Sequence, residues 1–216
     1  FDSIDPNPIS GASLGQVYRG KISGQEIVVK VKRPGIEKVV EEDLKVLKKI
    51  LPLALGFVDP NLRFSARAML SQFIETIHEE MDYTIESSNL KKIKHDMVKS
   101  NIIVPTVYDD YSSKNVLTME YLPGIKITNI EALDEKGIDR QKLVIDVHKV
   151  FFTMLLRHSL FHADPHPGNI SVTNDGKLIL YDYGMVGRLD DETRLRLIRL
   201  YLALVEKDPP RTVNAM

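Results

Sequence analysis

Two stretches decide how this chain is read: Phe161-His162-Ala163-Asp164-Pro165-His166-Pro167-Gly168-Asn169 and, twelve residues on, Tyr181-Asp182-Tyr183-Gly184. The first follows a stretch in which Leu143, Val147, Val150, Phe151, Met154 and Leu155 recur at helical spacing, predicting one long amphipathic helix. Two short apolar runs come next, 170–172 and 178–181, joined by Asn174-Asp175-Gly176. An Asp-Gly step between apolar runs is a strong hairpin signal. Pro165 and Pro167 therefore brace Asp164 and Asn169 on a stiff loop, and Asp182 closes the second strand of the hairpin.

Asp164, Asn169 and Asp182 offer hard oxygen donors and no soft ones. Mg²⁺ prefers such donors and completes its shell with water and substrate phosphates. The spacing Asp-x-x-x-x-Asn, with a later Asp before Gly, matches a phosphoryl-transfer site. There the first Asp accepts the hydroxyl proton, and the Asn and second Asp hold metal. The plain alternative is a loop capped by Asp and Asn. A zinc site from His162, Asp164 and His166 is a further alternative, since alternate residues of an extended strand point the same way. The two prolines favour a loop with packed histidines over such a strand.

Working toward the N-terminus, residues 16–19 and 27–32 read as strands joined by a turn at Ser23-Gly24-Gln25. Pro34-Gly35 stops the second strand, and a helix from Ile36 to Ile50 follows, with Ile36, Val40, Leu44 and Leu47 on one face. A long helical reading covers 65–99, with a break near Asp82-Tyr83. Strands around 104–108 and 115–121 end at Pro123-Gly124, and a last helix covers 191–206. The turn Ser10-Gly11-Ala12-Ser13 is built of small residues, which let backbone N–H groups approach phosphates. Alone it is a weak signal, and a plain hairpin turn is the first expectation. Lys30, in Val28-Val29-Lys30, strengthens the phosphate reading as a strand lysine. Such a lysine needs a carboxylate to fix it. Glu75, Glu79, Glu80, Asp82 and Glu86 are all candidates, and periodicity does not choose among them.

The fold class expected is α+β, bilobal and protein-kinase-like: a β-rich N-lobe with inserted helices over 1–122 and a mainly helical C-lobe over 123–216. A ligand cleft is expected at 121–124. Lys+Arg 29 against Asp+Glu 30 gives a net charge of −1, which argues against nucleic acid as a partner. Apolar residues at 43% exclude general disorder. The absence of cysteine excludes disulfides, zinc–thiolate sites and thiol nucleophiles. No apolar run reaches the roughly 18 residues of a membrane span. Residues 45–58 pass from basic to apolar and could touch a bilayer, although a buried helix and loop is the expectation. The opening at Phe1 reads as that of a fragment.

Taken together, these residues resemble the UbiB family of atypical protein-kinase-like proteins (the aarF-domain or ADCK kinases). The resemblance covers nearly the whole chain. It rests on Ser13-Leu14-Gly15-Gln16-Val17-Tyr18-Arg19, Val29-Lys30-Val31-Lys32-Arg33-Pro34-Gly35-Ile36, Glu80-Met81-Asp82-Tyr83 and Leu117-Thr118-Met119-Glu120-Tyr121-Leu122-Pro123-Gly124. His162-Ala163-Asp164-Pro165-His166-Pro167-Gly168-Asn169 and Asp182-Tyr183-Gly184-Met185 complete it. The resemblance implies that Glu86 pairs with Lys30, and that Glu80 and Asp82 form the family's Glu-x-Asp motif. It implies that Asp164 is the base or positions the nucleophile, and that Asn169 and Asp182 hold Mg²⁺. It also implies that Ser10, Gly11, Ala12, Ser13 and Val17 cover the nucleotide while backbone at Glu120 and Leu122 reads adenine. The family's Lys-x-Gly-Gln segment does not occur here, and Ser10-Gly11-Ala12-Ser13 replaces its usual Ala-Ala-Ala-Ser. A glycine at 11 is expected to loosen that turn.

The function implied is an ATP- or ADP-binding, Mg²⁺-dependent kinase or ATPase, with Lys30, Glu86 and Asp164 as its catalytic residues. The texture of 119–126 and 181–185 is most similar to the plastid and cyanobacterial branch. That branch implies association with thylakoids or plastoglobules and a role in prenylquinone or lipid metabolism. A mitochondrial or bacterial membrane setting is the alternative. Partners implied are a nucleotide, a membrane-lipid or prenylquinone-related substrate and other proteins. A non-catalytic, nucleotide-gated scaffold is the competing function. A small-molecule kinase of the aminoglycoside or choline type fits the Ala163–Pro167 context poorly.

Overall fold

The computed structural model describes residues 1–12, 14–56 and 59–215, without the side chains of 60–62. In chain order its elements are β1 (Ser3–Ile4), β2 (Ser10–Gly11), β3 (Gly15–Ile22), β4 (Gln25–Lys32), α1 (Ile36–Leu55), α2 (Pro60–Glu80) and α3 (Tyr83–Asp96). Then come β5 (Ile102–Ile103), β6 (Val116–Glu120), β7 (Ile125–Lys126), α4 (Ile130–Glu135), α5 (Arg140–Arg157) and β8 (Leu160–His162). The last are β9 (Ile170–Val172), β10 (Leu178–Leu180), β11 (Val186–Arg188), α6 (Asp191–Val205) and α7 (Pro209–Ala215). They divide into two compact units, 1–88 with 106–121, and 89–105 with 122–216.

The first unit is strand-rich. Its sheet runs β1-β3-β4-β6, with β2 also paired to β3. The β3–β4 hairpin turns through Ser23 (φ 50) and Gly24 (φ 77). Two central residues at positive φ match the right-handed twist of the strands they join. Ile22, Ile27 and Val29 form the core of one face, with Val31, Tyr108 and Val116 packed around them. Strand alternation turns Lys30 to the opposite face, beside Val17 and Leu117, its register partners on β3 and β6. Asp82 caps α3, accepting from the Thr84 N–H at 3.0 Å and the Thr84 hydroxyl at 2.6 Å. This cap explains why the helical reading of 65–99 breaks at 81–82.

Two expectations for α1 are corrected. It does not stop at Ile50 but continues to Leu55 through Pro52. Its second half is also not a buried helix: Leu44 and Leu55 are buried, but Val46, Ile50 and Leu53 lie 54%, 55% and 72% exposed. Phe57 and Val58, at the end of that stretch, lie outside the described residues.

The second unit holds a four-stranded sheet, β5-β10-β9-β7, and the pair β11-β8. The expected hairpin forms as β9 and β10, antiparallel, with Ile170 opposite Leu180. Its turn uses Gly176 at φ 84. Instead of a strand around Val104, the chain forms β5, which adds parallel to β10 and so groups 89–105 with this unit. The apolar stripe of α5 buries Leu143, Val150 and Met154.

Candidate nucleotide and metal site

Lys30 and Glu86 form a buried ion pair within the first unit. Lys30 sits mid-strand on β4 and Glu86 in the first turn of α3. The Lys30 ammonium donates to both carboxylate oxygens of Glu86, at 3.0 and 2.8 Å. Their side chains are only 9% and 5% exposed. The Tyr83 ring centroid lies 5.2 Å from the same ammonium, close enough for cation–π attraction. Of the five acidic candidates, tertiary packing brings Glu86 to the lysine.

Gly15 explains how Tyr83 gets there. A Cβ at Gly15 would collide with the Tyr83 hydroxyl and the Val31 carbonyl, so only glycine lets that phenol lie against β3. Ser10 and Gly11 pair with Val17 and Gln16 as β2, and the Ala12 N–H donates to the Gly15 carbonyl at 3.1 Å. Residues 10 and 11 are therefore paired in an antiparallel ladder with β3. A Cβ at Gly11 would meet nothing within 4 Å. Ser13 lies outside the described residues.

Asp82 is the α3 cap. Burial pushes its carboxyl up, but the Thr84 hydroxyl and N–H, with Lys114 and Lys32 nearby, outweigh that and hold it below the usual range. Glu80 is half-buried at the last residue of α2. Glu120 ends β6, where its carboxylate accepts from the Thr106 N–H and hydroxyl at 3.0 and 2.8 Å. Its own N–H donates to the Thr106 carbonyl at 2.8 Å.

In the second unit the loop is tied at several points. The Asn169 side-chain amide donates to Asp164 Oδ2 at 2.7 Å. The Asp164 N–H donates to His162 Nδ1 at 3.2 Å, and the Gly168 N–H to His166 Nδ1 at 3.0 Å. Lys126 adds a bond from β7, its ammonium donating to the Gly168 carbonyl at 2.9 Å. The hairpin brings Asp182 alongside, because the Tyr181 N–H donates to the Asn169 carbonyl at 3.1 Å. Asp182 Oδ1 accepts from the Gly184 N–H at 2.9 Å. The Leu122 carbonyl accepts from the Tyr181 hydroxyl at 3.1 Å.

The buried His162 has T-shaped contacts with the rings of Phe151 and Tyr183, centroids 5.9 and 5.8 Å away. Burial lowers its pKa, with the backbone and charge of Asp182 and the charge of Asp164 opposing. His166 is exposed. The two histidines thus brace the loop from inside and outside. Among the described residues no cluster of three His, Cys, Asp or Glu side chains is arranged to hold a metal.

Asn169 and Asp182 fit Mg²⁺ by donor chemistry. Each offers hard oxygens, and Asn169, with its amide nitrogen turned to Asp164, has its carbonyl oxygen for a cation. Two protein oxygens are few, which suits an ion completed by phosphates and water.

Sequence reasoning missed Asn89, Tyr83 and Lys126. Asn89 is buried on α3, and its amide donates to the Tyr183 carbonyl, inside the Asp-Tyr-Gly stretch, at 3.3 Å. A lone Asn in a helical run carries no signal of a partner 94 residues away.

The sequence model of the ABC1 atypical kinase-like domain matches residues 1–216. The chain belongs to that family. ABC1 relatives include the Arabidopsis thaliana protein ACTIVITY OF BC1 COMPLEX KINASE 8, chloroplastic, 41% identical over 222 residues. That match covers 100% of this chain and 29% of the relative. The probable protein kinase UbiB of Marinobacter nauticus is 36% identical over 96% of this chain and 39% of its own. The chain therefore spans well under half the length of these relatives. Among solved structures, Rv3197 of Mycobacterium tuberculosis, in complex with erythromycin, superposes with a TM-score of 0.77 at 23% identity. It is covered over 54% of its length and this ABC1 chain over 100%, and the likeness shows the shared fold.

Proposed function

We propose that this ABC1 domain binds ATP or ADP with Mg²⁺ and acts as a phosphotransferase or ATPase. The observation that carries the reading is the buried Lys30–Glu86 pair. An ion pair this deep is a poor source of stability, because desolvation offsets most of its attraction. It is, however, an efficient way to hold one ammonium at a fixed place for phosphate oxygens.

In this reading Lys30 orients the α/β-phosphates and the 10–13 turn covers them, beside Val17. The Leu122 N–H and backbone at Glu120 read the adenine edge. Asn169 and Asp182 hold Mg²⁺, which supplies charge neutralisation to the phosphates. The acceptor oxygen, of a hydroxyl or of water, attacks the γ-phosphorus as the bond to the β–γ bridging oxygen breaks. ADP leaves, and the proton of the acceptor passes to Asp164. Little covalent chemistry is asked of the protein, since positioning and charge stabilisation do most of the work. Asn169 holds Asp164 in place, while Glu80 and Asp82 belong to the scaffold that seats α3.

The chloroplastic relatives support a plastid setting, and a substrate in prenylquinone or lipid metabolism is what the sequence resemblance implies. The test is nucleotide binding by calorimetry with and without Mg²⁺, followed by phosphate release. Turnover should fall about 100-fold or more in Asp182→Asn and Asp164→Asn. Nucleotide binding with no turnover, even with lipid or quinone precursor added, would make the domain a nucleotide-gated scaffold.

A further inference from the structure

We propose that Lys126 recognises the sugar of the bound nucleotide, its ammonium donating to the ribose hydroxyls of ATP or ADP. This contact rests on the nucleotide reading and deepens it, because base, phosphates and metal have partners there and the sugar has none. Every residue involved belongs to the second unit. Lys126 ends β7, and its register partner on β9 is Ser171. Ser171 in turn lies opposite Ile179 on β10. Cross-strand partners share one face of a sheet, so Lys126, Ser171 and Ile179 point the same way. Gly124 and Tyr181 lie on that face too: a Cβ at Gly124 would sit 2.8 Å from Ile179 Cδ1, 2.9 Å from Ser171 Cβ and 3.2 Å from the Tyr181 hydroxyl. Ser171 and Ile179 are its buried floor, and Lys126 is its exposed rim.

The two ends of this face carry the groups that take the two ends of a nucleotide. At one end the Tyr181 hydroxyl donates to the Leu122 carbonyl at 3.1 Å, pinning the backbone that reads the base. At the other, Asn169 and Asp182 hold Mg²⁺ and through it the phosphates. The sugar of any nucleoside phosphate lies between base and phosphate. Lys126 stands between the same two ends. It follows Leu122 by four residues, and its ammonium lies 2.9 Å from the carbonyl of Gly168, the neighbour of Asn169. An ammonium has three donor hydrogens and a carbonyl oxygen two lone pairs. The Lys126–Gly168 bond uses one of each, which leaves donors and an acceptor side by side. A hydroxyl both donates and accepts, so a ribose diol matches this pair. A phosphate only accepts, and would meet the Gly168 carbonyl as a repulsive neighbour.

The experiment is calorimetric binding of ATP and of 2′,3′-dideoxyATP, with Mg²⁺, to the parent protein, Lys126→Met and Lys126→Arg. The parent should bind ATP about tenfold or more tighter than the dideoxy analogue, the scale of a hydrogen bond to a charged group. Lys126→Met should lose most of that preference through weaker ATP binding, with affinity for the analogue nearly unchanged. Lys126→Arg keeps a charged donor and should retain most of the preference. Should the methionine disturb folding, Lys126→Ala gives the same reading. The proposal is overturned, with nucleotide binding intact, if the parent does not distinguish the two ligands or if the methionine variant keeps the parent's ratio. It is equally overturned if that variant weakens both ligands by one factor, which would make Lys126 a brace of the loop or a phosphate contact. A parent that binds neither ligand overturns the nucleotide reading itself, and this contact with it.

Discussion

Separating the two partners of the Lys30–Glu86 pair should cost more than deleting both. Glu86→Gln leaves an ammonium on β4 without its counter-charge, and Lys30→Met leaves a carboxylate on α3 in the same condition. Both side chains are at least nine-tenths buried and the contact is two-pronged, at 3.0 and 2.8 Å. Solvent therefore screens little, and the scale that applies is that of buried pairs, about 3–5 kcal/mol for removing one partner. Set against a total of roughly 5–15 kcal/mol for a domain, either single variant should lose a large fraction of its stability. The double variant Lys30→Met with Glu86→Leu removes both charges of the pair and should regain much of the loss, giving a coupling of at least about 3 kcal/mol. The assay is urea unfolding of the four proteins at neutral pH, comparing midpoints at equal slope. Raising the salt should leave the coupling in place, whereas the exposed Arg19–Glu26 pair (side chains 44% and 46% exposed) should show almost none. The double variant should also be folded and inactive, separating stability from turnover. A coupling below about 1 kcal/mol, or one removed by salt, would refute the reasoning, because the pair would then behave as solvated.

Two further outcomes follow from the second unit. His162 is buried and its pKa is depressed, so between that value and the ordinary 6.5 the unfolded chain takes up a proton that the folded chain refuses. Its contribution is full above about pH 6.5 and is lost as the pH falls from there toward the depressed value. His162→Phe should flatten that part of the stability profile, and superimposable profiles for the two proteins would count against it. Gly187 lies opposite Phe161 in the β8–β11 pair, and a Cβ there would enter the Phe161 ring. Gly187→Ala should cost about 1–3 kcal/mol in chemical denaturation, with Phe161→Leu restoring part of it, and equal midpoints would exclude the overlap.

Local chemistry made much of this fold readable. The β9–β10 hairpin announces itself through Asp175-Gly176, the β3–β4 turn through Ser23-Gly24, and α5 through its apolar stripe, because turn residues and periodicity act over a few positions. That Asp164 and Asn169 share one proline-braced loop was equally legible, whereas the hydrogen bond between them was not foreseen. What stayed hidden depends on distant partners. Residue pattern alone does not separate Glu86 from Glu79 or Glu80, and only the family resemblance pointed to it, while Asn89 gains its meaning from a carbonyl 94 residues on. β5 is two residues long and exists because β10 offers it an edge. Helix α1 runs past Ile50 because Pro52 does not end it, and the exposure of its outer strip is a property of packing that periodicity alone does not report.

The two glycines of the N-terminal hairpin differ in what they permit. Open space surrounds Gly11, whereas the room beside Gly15 is already taken by the phenol that also borders the Lys30 ammonium. A methyl group added at position 15 would thus be felt at the foot of α3 and, through Tyr83, at the lysine, although position 15 itself touches neither charge. Anyone reshaping this hairpin has latitude at 11 and almost none at 15.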